Sequence, residues 1–504
     1  MTGNDGRTVL TPMSELASES SAQRLAQLGH DPAVRVPDHR YDHIYVAGQW
    51  VSPATAARTE IVSPSTEEVV AVVPSCGPAE VDIAVSAAVT AYDTWSLSSP
   101  RQRGEVLRTL HTLCTAAADE LAQLIHLEMG SPLDFARQEH VGTPLAIIAD
   151  IARVAEEGAA QDDEVIGSSL VVKEPVGVVA AILPWNYPLY QLVAKVIPAI
   201  AAGCTVVAKP SELTPLSSYR FTELLHDAGL PAGVFNLVPG TGVAVGQALA
   251  GHPAVDMVSF TGSTRAGSIV AQAAAPTVKR VALELGGKSA SIVLPGADLD
   301  RAVRHSVDYC MTNSGQCCNA WTRLLVPRPL LAAAERIAAE QAAAVEPTLG
   351  PLISKRQFDT VQSYIAQGLA QGARLVHGGP GRPADARHGA YARATVFSDV
   401  TPGMTIAREE IFGPVLVIHA YDTVDEAVAI ANDSIYGLHG GVWAATTEEA
   451  VAVARRIRTG QIDVNGADFN VAAPFGGFKQ SGNGRELGRH GIEEFYELKS
   501  VQLP

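Results

Sequence analysis

The sequence predicts an α/β fold, and three observations carry that prediction. Apolar runs such as 178–183 and 205–208 show no alternation between apolar and polar residues. Helix-like stretches such as 217–228 lie between these runs. The same order of apolar runs and Ala-rich helical stretches begins again near Ala282. Strands without alternation, separated by helices, are typical of a parallel sheet covered on both faces. In a chain of 504 residues we therefore expect two α/β domains.

The remaining elements follow from local patterns along the chain. Residues 44–50 and 68–73 are predicted as short strands because their apolar runs lie between turn residues. Residues 78–128 carry apolar side chains at helical spacing, with a helix predicted to start at Asp119. In the second half of the chain, the runs predicted as strands are 290–294, 323–326 and 415–418.

Residues 1–40 are predicted to form an N-terminal extension outside these domains. The first 30 positions are polar and rich in serine, and they lack the apolar segment of a signal peptide. Nowhere does an apolar run reach the ~18 residues that suggest a membrane span.

Charge and cysteine content restrict the partners and the compartment. The formal net charge of -16 repels nucleic acid and anionic membranes, so neither is expected as a partner. The six cysteines include no Cys-x-x-Cys pair, which argues against a disulfide framework and against a zinc site. Without an export signal, we expect the reducing cytoplasm, where a free thiolate is available for chemistry.

The first candidate for chemistry is the segment Gly315-Gln316-Cys317-Cys318. A single cysteine is more often a small buried apolar residue than a nucleophile. Here, however, the polar approach Asn313-Ser314-Gly315 suits a loop that feeds a helix. A thiol at a helix N-terminus has a lowered pKa and is a better nucleophile.

Two polar residues follow apolar runs and are candidates for the same chemistry. Glu284 follows the run 281–283 and precedes two glycines, which suits a general base, although a solvated glutamate is the common alternative. A phosphate loop is excluded at this point because position 282 is alanine. Asn186 lies between Pro184 and Pro188, so it is a candidate oxyanion donor or, alternatively, a helix cap.

Three segments have features of a nucleotide site, and each is weak evidence by itself. Lys209-Pro210-Ser211-Glu212 follows a predicted strand, where nucleotides bind in open α/β sheets, although a helix start also explains it. The segment 260–267 ends a strand and opens a helix whose free N–H groups suit a pyrophosphate. Gly240, Gly242 and Gly246 resemble a dinucleotide fingerprint but have the wrong spacing. No Gly-x-Ser-x-Gly or His-Glu-x-x-His motif is present, which leaves a serine hydrolase or a zinc protease without support.

Taken together and in this order, these segments resemble the aldehyde dehydrogenase superfamily. The resemblance runs from about Tyr45 to near the C-terminus, and Cys318 follows Glu284 by 34 positions, as in that family. The matching segments are Pro-Trp-Asn (184–186), Lys-Pro-Ser-Glu (209–212), Phe-Thr-Gly-Ser-Thr (260–264), Glu-Leu-Gly-Gly-Lys (284–288), Gly-Gln-x-Cys (315–318), Glu-Glu-Ile-Phe-Gly-Pro (409–414) and Pro-Phe-Gly-Gly-Phe-Lys-Gln-Ser-Gly (474–482).

The resemblance implies roles for four residues. Cys318 is expected to attack the aldehyde carbonyl, giving a thiohemiacetal whose oxyanion is held by the Asn186 side chain and the Cys318 backbone N–H. Hydride transfer to a nicotinamide then leaves a thioester. Glu284 is expected to activate the water that hydrolyses this thioester, and Lys195 to lie near the proton path. Cys317 departs from many relatives, which have a single cysteine in this segment.

The resemblance also implies an NAD site. Lys209 and Glu212 match adenosine-ribose contacts. A carboxylate at Glu212 accepts a hydrogen bond from a ribose 2′-hydroxyl but repels a 2′-phosphate, so NAD is expected to be preferred over NADP. The other matching positions are Gly242 and Gly246 at the adenine pocket, Gly262, Ser263 and Gly267 at the pyrophosphate, Glu410 at the nicotinamide ribose with Phe412 beside it, and Trp185 and Leu285 along the cleft.

The family fold implies three parts and an oligomer. We expect a Rossmann-like NAD-binding domain at 41–156 and 177–283, and an α/β catalytic domain at 284–483. A small β arm for oligomerisation is expected at 157–176 and 484–504. Within it, 165–172 is predicted as a hairpin whose exposed edges suit pairing with another subunit. A homodimer or a homotetramer is therefore expected.

More than one reaction and more than one substrate class fit these residues. A coenzyme A-acylating dehydrogenase often lacks the base, so Glu284 favours hydrolysis. A structural, non-enzymatic relative and a thiol esterase that works without NAD are also possible. The pocket positions Tyr187, Tyr190, Gln191 and Ala194 suggest aromatic, medium-chain aliphatic or quaternary-ammonium aldehydes. No basic residue is among them, so a dicarboxylic semialdehyde is less favoured.

Overall fold

The computed structural model describes residues 41–158, 160–386 and 388–504, and the predicted extension at 1–40 lies outside them. Its strands are β1 (Ile44–Val46), β2 (Gln49–Val51), β3 (Arg58–Val62), β4 (Val69–Pro74), β5 (Glu164–Ile166), β6 (Ser169–Pro175), β7 (Val178–Ile182), β8 (Thr205–Lys209), β9 (Phe235–Leu237), β10 (Met257–Thr261), β11 (Arg280–Glu284), β12 (Ala290–Val293), β13 (Arg323–Pro327), β14 (Arg374–His377), β15 (Thr395–Ser398), β16 (Val415–Tyr421), β17 (Gly440–Trp443), β18 (Asp463–Val464), β19 (Gly482–Asn483) and β20 (Tyr496–Gln502).

The α-helices lie mainly between these strands. They are α1 (Pro78–Trp95), α2 (Pro100–Ala116), α3 (Ala118–Met129), α4 (Leu133–Phe135), α5 (Thr143–Glu157), α6 (Pro188–Ala202), α7 (Leu216–Asp227), α8 (Gln247–Gly251), α9 (Thr264–Ala274), α10 (Leu299–Met311), α11 (Leu331–Val345), α12 (Lys355–Ala370), α13 (Thr405–Arg408), α14 (Val424–Asn432), α15 (Thr447–Ala454) and α16 (Gly488–Glu493). The predicted helix start near Asp119 is confirmed by α3.

The first large sheet has the strand order β19-β11-β10-β7-β8-β9-β1-β2. Its five central strands are parallel, and β1, β2 and β19 pair antiparallel at the edges. Every residue of β7 and β8 is buried. Burial on both faces explains why these strands show no alternation in the sequence.

The second large sheet has the order β14-β15-β16-β13-β12-β17-β18. All its pairs are parallel except β14 with β15. The predicted pair of α/β units, each with a parallel sheet, is therefore confirmed.

Helix α6 is almost fully buried because apolar residues cover its whole circumference. Pro188 stands at the first helical position, where a missing N–H costs nothing. Gly203 ends the helix in the left-handed region at a φ of 98°. The rigid helix fixes the segment before it, 184–187, at the end of β7.

A three-stranded sheet, β20-β6-β5, and a two-stranded sheet, β3-β4, complete the fold. The hairpin predicted at 165–172 is confirmed by β5 and β6, and β20 pairs along the other side of β6. The division into NAD-binding, catalytic and arm segments at the predicted boundaries remains a prediction. Among the described residues, no helix combines the length and the apolar character that crossing a membrane requires.

Candidate active site

The predicted site residues of the first sheet lie at one edge of that sheet. The register aligns Ile182 with Lys209 and with Phe260, and it aligns Thr261 with Glu284. These residues are at the carboxyl ends of four neighbouring parallel strands. Because ligands of open α/β sheets bind at that edge, the sheet brings the predicted catalytic and cofactor segments to one cleft.

The cysteine pair is delivered to this cleft by a tight turn. Asn313, Ser314 and Gly315 have φ values of 51°, 58° and 73°, which are in the left-handed region. A Cβ at position 315 would lie 2.1 Å from the carbonyl oxygen of Gly413, so only glycine fits there. The 409–414 segment therefore holds the cysteine loop in place.

The prediction that the cysteine loop feeds a helix is wrong. The left-handed turn at 313–315 is followed by further turns and then by β13, so Cys318 gains no helix N-terminus. Burial, the neighbouring Cys317 thiol and then Glu410 raise the pKa of Cys318 well above its ordinary value. The lowering of that pKa expected from the sequence is therefore absent.

The second thiol of the pair has its own partner. The Cys317 Sγ donates to Oδ1 of Asn319 at 2.7 Å, and the Asn319 amide donates to the hydroxyl of Tyr309 at 3.0 Å. Burial raises the pKa of Cys317 to about 11. The Cys317 thiol is therefore held by a hydrogen bond to the side chain of Asn319.

The amide of Asn186 is tied to the cysteine loop. Its Nδ2 donates to the carbonyl of Gln316 at 3.0 Å, and the amide of Asn313 donates to the Asn186 carbonyl at 2.9 Å. Helix α6 has Tyr187 at its N-cap, without a side-chain cap bond. The alternative that Asn186 caps helix α6 is therefore wrong. Its side-chain amide instead binds Gln316, which precedes Cys318 by two positions.

Glu284 ends β11 with a buried carboxyl group. Within residues 41–158, 160–386 and 388–504, neither carboxyl oxygen has a hydrogen-bond partner, and a Cβ at Gly476 would lie only 2.8 Å from Oε1. Burial and then the charge of Glu486 raise the pKa of Glu284 well above its ordinary value. Its own charge contributes to the raised pKa of Cys318, so the two groups are close enough to interact.

Lys195 forms a buried ion pair that the sequence did not reveal. Its Nζ contacts Oε1 of Glu486, and the two side chains are 0% and 10% exposed. The backbone of Glu486 is fixed by reciprocal hydrogen bonds with Phe475. No local motif marks Glu486, because its partner lies almost 300 positions earlier.

At the end of β8, the predicted ribose contacts are neighbours. The Lys209 Nζ donates to the carbonyls of Pro210 and Gly240 at 2.7 and 3.1 Å and lies 3.4 Å from the Glu212 carboxylate. Glu212 is 39% exposed and can reach a ligand. A Cβ at Gly246 would lie 3.7 Å from Cδ of Lys209, so the helical turn Gly242–Gly246 borders the same place.

Helix α9 begins where the pyrophosphate was predicted. The Ser263 hydroxyl accepts a hydrogen bond from the backbone N–H of Ala266 and caps the helix. Leu285 packs on Gly267, because a Cβ added to Gly267 would lie only 2.6 Å from Cδ2 of Leu285. Gly262 precedes the cap. Free N–H groups at a helix start suit an anion such as a pyrophosphate.

The 409–414 segment supplies the other side of the cleft. Glu410 accepts a hydrogen bond from the Gly287 N–H at 3.1 Å, and burial raises its pKa to about 7. Phe412 packs edge-on against Trp185 with ring centroids 5.2 Å apart. A buried carboxylate with one partner can accept further hydrogen bonds from hydroxyl groups, so its free acceptor positions fit the hydroxyls of a nicotinamide ribose.

A cavity opens in front of the cysteine pair. The predicted Tyr187, Tyr190 and Gln191 line it, whereas Ala194 is buried in the core. The remaining lining residues are Glu139, Thr143, Asn186, Tyr309, Thr312, Cys317, Cys318, Asn319, Phe469, Val471 and Phe475. No local pattern marks Glu139 as a site residue, because it lies in a segment far from every motif.

A thiol, an amide donor and a buried carboxyl group thus meet beside a nucleotide-type sheet edge. All six cysteines are free. Across the described parts of the chain, no cluster of His, Cys, Asp or Glu side chains could hold a metal ion. The fold and the site define the class as a nucleotide-dependent enzyme.

Comparisons with known proteins identify the family. The family model described as "Aldehyde dehydrogenase family" matches residues 50–501. A 3-succinoylsemialdehyde-pyridine dehydrogenase of a Pseudomonas species is 48% identical over 473 residues, which cover 92% of this chain and 98% of the relative.

Solved structures agree with this result. A mutant of aldehyde dehydrogenase C from Pseudomonas syringae, in complex with NAD+ and octanal, is 51% identical with a TM-score of 0.90, covering 93% of this chain and 98% of that one. A betaine aldehyde dehydrogenase of Staphylococcus aureus in complex with NAD+ is 35% identical with a TM-score of 0.88, covering 92% and 97%.

This chain belongs to the aldehyde dehydrogenase family. The resemblance found in the sequence and the predicted fold class are confirmed. The protein is an NAD-dependent oxidoreductase that oxidises an aldehyde to the carboxylic acid.

Proposed function

We propose that Cys318 is the nucleophile and Glu284 the general base of a hydrolytic, NAD-dependent aldehyde oxidation. The observation that carries this proposal is the convergence of three groups. The Asn186 amide is bonded to the loop that carries Cys318, and the buried Glu284 carboxyl group, without a hydrogen-bond partner, lies near enough to raise the pKa of that thiol.

The proposed reaction begins when the Cys318 thiol gives its proton to a water molecule, which carries it to solvent, and the sulfur bonds to the aldehyde carbon. The carbonyl oxygen becomes an oxyanion, held by the Asn186 side chain and the backbone N–H of Cys318. Bound NAD supplies the acceptor for the hydride that leaves this carbon, and the carbon remains on sulfur as a thioester.

Hydrolysis completes the proposed cycle. Glu284 takes a proton from water, the resulting hydroxide attacks the thioester, and the carbon–sulfur bond breaks. The acid leaves and Cys318 is restored. The proton on Glu284 then passes toward solvent along the Lys195–Glu486 pair, which interacts electrostatically with the Glu284 carboxyl group.

For the cofactor, we propose that NAD is preferred over NADP. The half-exposed Glu212 carboxylate, beside Lys209 at the end of β8, is suited to a free ribose hydroxyl and repels a phosphate. Similar kcat/KM values for the two cofactors would contradict this preference. The proposed contacts elsewhere are Trp185, Gly242, Gly246, Gly262, Ser263, Gly267, Leu285, Glu410 and Phe412.

The substrate is proposed to be an aromatic, a medium-chain aliphatic or a quaternary-ammonium aldehyde. Five aromatic side chains line the cavity, and among the residues that the structure describes no Lys or Arg lines it. The names of three relatives agree in part with this proposal. They mention a pyridine-containing semialdehyde, octanal and betaine aldehyde. Dicarboxylic semialdehydes remain less favoured.

We further propose a homodimer or a homotetramer that pairs through the small sheet. Val165 and Ile166 on β5 are 69% and 56% exposed, and Leu498 on β20 is 69% exposed. Exposed apolar strand edges suit pairing with another subunit. A cytoplasmic location also remains a proposal, supported by the six free thiols.

The experiment that tests the proposed function measures NADH and acid from an aldehyde, with and without coenzyme A. We expect equal amounts of NADH and free acid, with no dependence on coenzyme A. A requirement for coenzyme A with acyl-coenzyme A as the product would favour the acylating reaction. Ester turnover without any NADH from aldehydes would favour an esterase, and no turnover would favour a structural relative.

A further inference from the structure

One carboxyl group in the aldehyde cavity has no part in the proposed chemistry. Glu139 lies in the helical turn Ala136–Gly142 and lines the cavity together with Cys317 and Cys318. The Thr143 hydroxyl hydrogen-bonds to it, and burial raises its pKa to about 7. A carboxylate in an apolar cavity is costly unless a cation or donors compensate it.

The described residues supply no cation that pairs with Glu139. Among the described residues, none of the ion pairs includes it, and the nearby Arg137 pairs instead with Asp119 and Asp134 outside the cavity. A second acceptor is also uncompensated, because the buried Oε1 of Gln191, another lining residue, has no hydrogen-bond partner in the described part of the chain. The cavity therefore has spare acceptors.

The walls around these acceptors are aromatic. The Tyr187 ring stacks on His140 at a centroid distance of 4.5 Å, which holds it in place, and lies 6.3 Å from the ring of Tyr190. Tyr309, Phe469 and Phe475 complete the aromatic lining. Aromatic faces attract cations through their quadrupoles, and a carboxylate adds a direct charge interaction.

We propose that Glu139 is a specificity-determining residue that selects aldehydes whose far end carries a positively charged nitrogen. The aldehyde group would face Cys318 while the cation lies among the aromatic rings beside Glu139. The same carboxylate would repel anionic semialdehydes. This inference rests on the proposed function, because it assigns a substrate class to the same cavity.

The test compares two aldehydes of nearly identical shape. Betaine aldehyde carries a trimethylammonium group, and 3,3-dimethylbutanal has a carbon atom in place of that nitrogen. We measure kcat/KM for both with the wild-type protein, with Glu139→Gln and with Asp134→Asn. The glutamine keeps the size of the side chain, and Asp134→Asn removes a nearby charge that lies 68% exposed outside the cavity.

We expect the wild-type protein to oxidise the cationic aldehyde at least as efficiently as its neutral isostere. Glu139→Gln should lower the cation-to-neutral ratio of kcat/KM by about 10-fold or more, whereas Asp134→Asn should leave the ratio unchanged. Choline should raise the Tm of the wild-type protein and should do so less in Glu139→Gln, a readout that needs no turnover.

A ratio that Glu139→Gln leaves unchanged would overturn the inference, as would a wild-type preference for the neutral isostere. In both cases NADH from 3,3-dimethylbutanal would still support the proposed function. If the wild-type protein formed NADH from neither aldehyde, the inference would be overturned, and NADH from an aromatic or longer aliphatic aldehyde would test the proposed function separately.

Discussion

At the scale of single residues, the two neighbouring cysteines have different surroundings. The Cys317 thiol donates a hydrogen bond to Asn319. Cys318 lies two positions after Gln316, whose backbone carbonyl accepts a hydrogen bond from the Asn186 amide. Both thiols line the cavity. The difference in hydrogen bonding favours Cys318 as the reactive group.

Cys318→Ala should therefore lower kcat for NADH formation by about 10³-fold or more, because it removes the sulfur that is proposed to carry the thioester. Cys317→Ala is the matched control and should retain activity within a few-fold. Steady-state NADH formation from the same aldehyde measures both. Loss of activity in Cys317→Ala with activity retained in Cys318→Ala would reverse the assignment.

The pH dependence follows from two acids whose pKa values are raised. Burial favours the neutral forms of Cys318 and Glu284, and the reactive forms are the thiolate and the carboxylate. Deprotonation of either acid increases with pH, so kcat/KM should rise between about pH 6 and about pH 9. The measurement is kcat/KM against pH at saturating NAD. Values that stay constant or fall over this range would contradict the predicted rise.

Much of the site could be predicted at this scale, since Cys318, Glu284 and Asn186 lie in motifs with a recognisable order. Glu139 and Glu486 could not, because each reaches the cleft only through the tertiary fold. Glu486 meets Lys195 through its backbone pairing with Phe475, which no local pattern reports.

At the scale of elements, the buried strands were predictable and the cysteine loop was not. Strands β7 and β8 are continuous apolar runs because both faces of their sheet are covered. The predicted helix after the cysteines was wrong, because Asn313 and Ser314 take left-handed conformations that bend the chain away. A polar, glycine-containing segment is compatible with both outcomes.

The loop Gly286–Gly287 offers a test of how closely the elements fit. A Cβ at Gly287 would lie 2.4 Å from the carbonyl oxygen of Cys318, so Gly287→Ala should displace the nucleophile. A displacement near 1 Å costs about 10²-fold in rate. Gly403→Ala, an exposed glycine with nothing within 4 Å of its added Cβ, is the control for kcat. Equal kcat values for the two variants would contradict this account of the loop.

At the scale of the whole molecule, three of the sheets have different roles. The first presents the strand ends of the proposed cofactor cleft, the second begins after Glu284 and carries the cysteine loop ahead of β13, and the third projects an exposed edge. Sequence patterns predicted the sheets and the hairpin. The partner of β6 across the chain, β20, follows from the family fold, since pairing over such a separation leaves no local signal.

The third sheet makes the assembly testable. Replacing Val165 and Ile166 by lysine places charge on the exposed strand β5, which should block edge pairing and lower the mass in solution. Leu97→Lys is the control, because Leu97 is 84% exposed and lies outside this sheet. Analytical ultracentrifugation measures all three proteins. A monomeric wild-type protein, or a double variant of unchanged mass, would contradict the proposed interface.

The central claim is that the acyl group resides on Cys318 until Glu284 directs water to it. The most direct measurement uses Glu284→Gln, mixed with NAD and an aldehyde and then analysed by peptide mass spectrometry. We predict a burst of NADH of about one equivalent per active site and an acyl group in place of the thiol proton of Cys318. An acyl group on Cys317, or steady turnover without any acylated cysteine, would contradict the account.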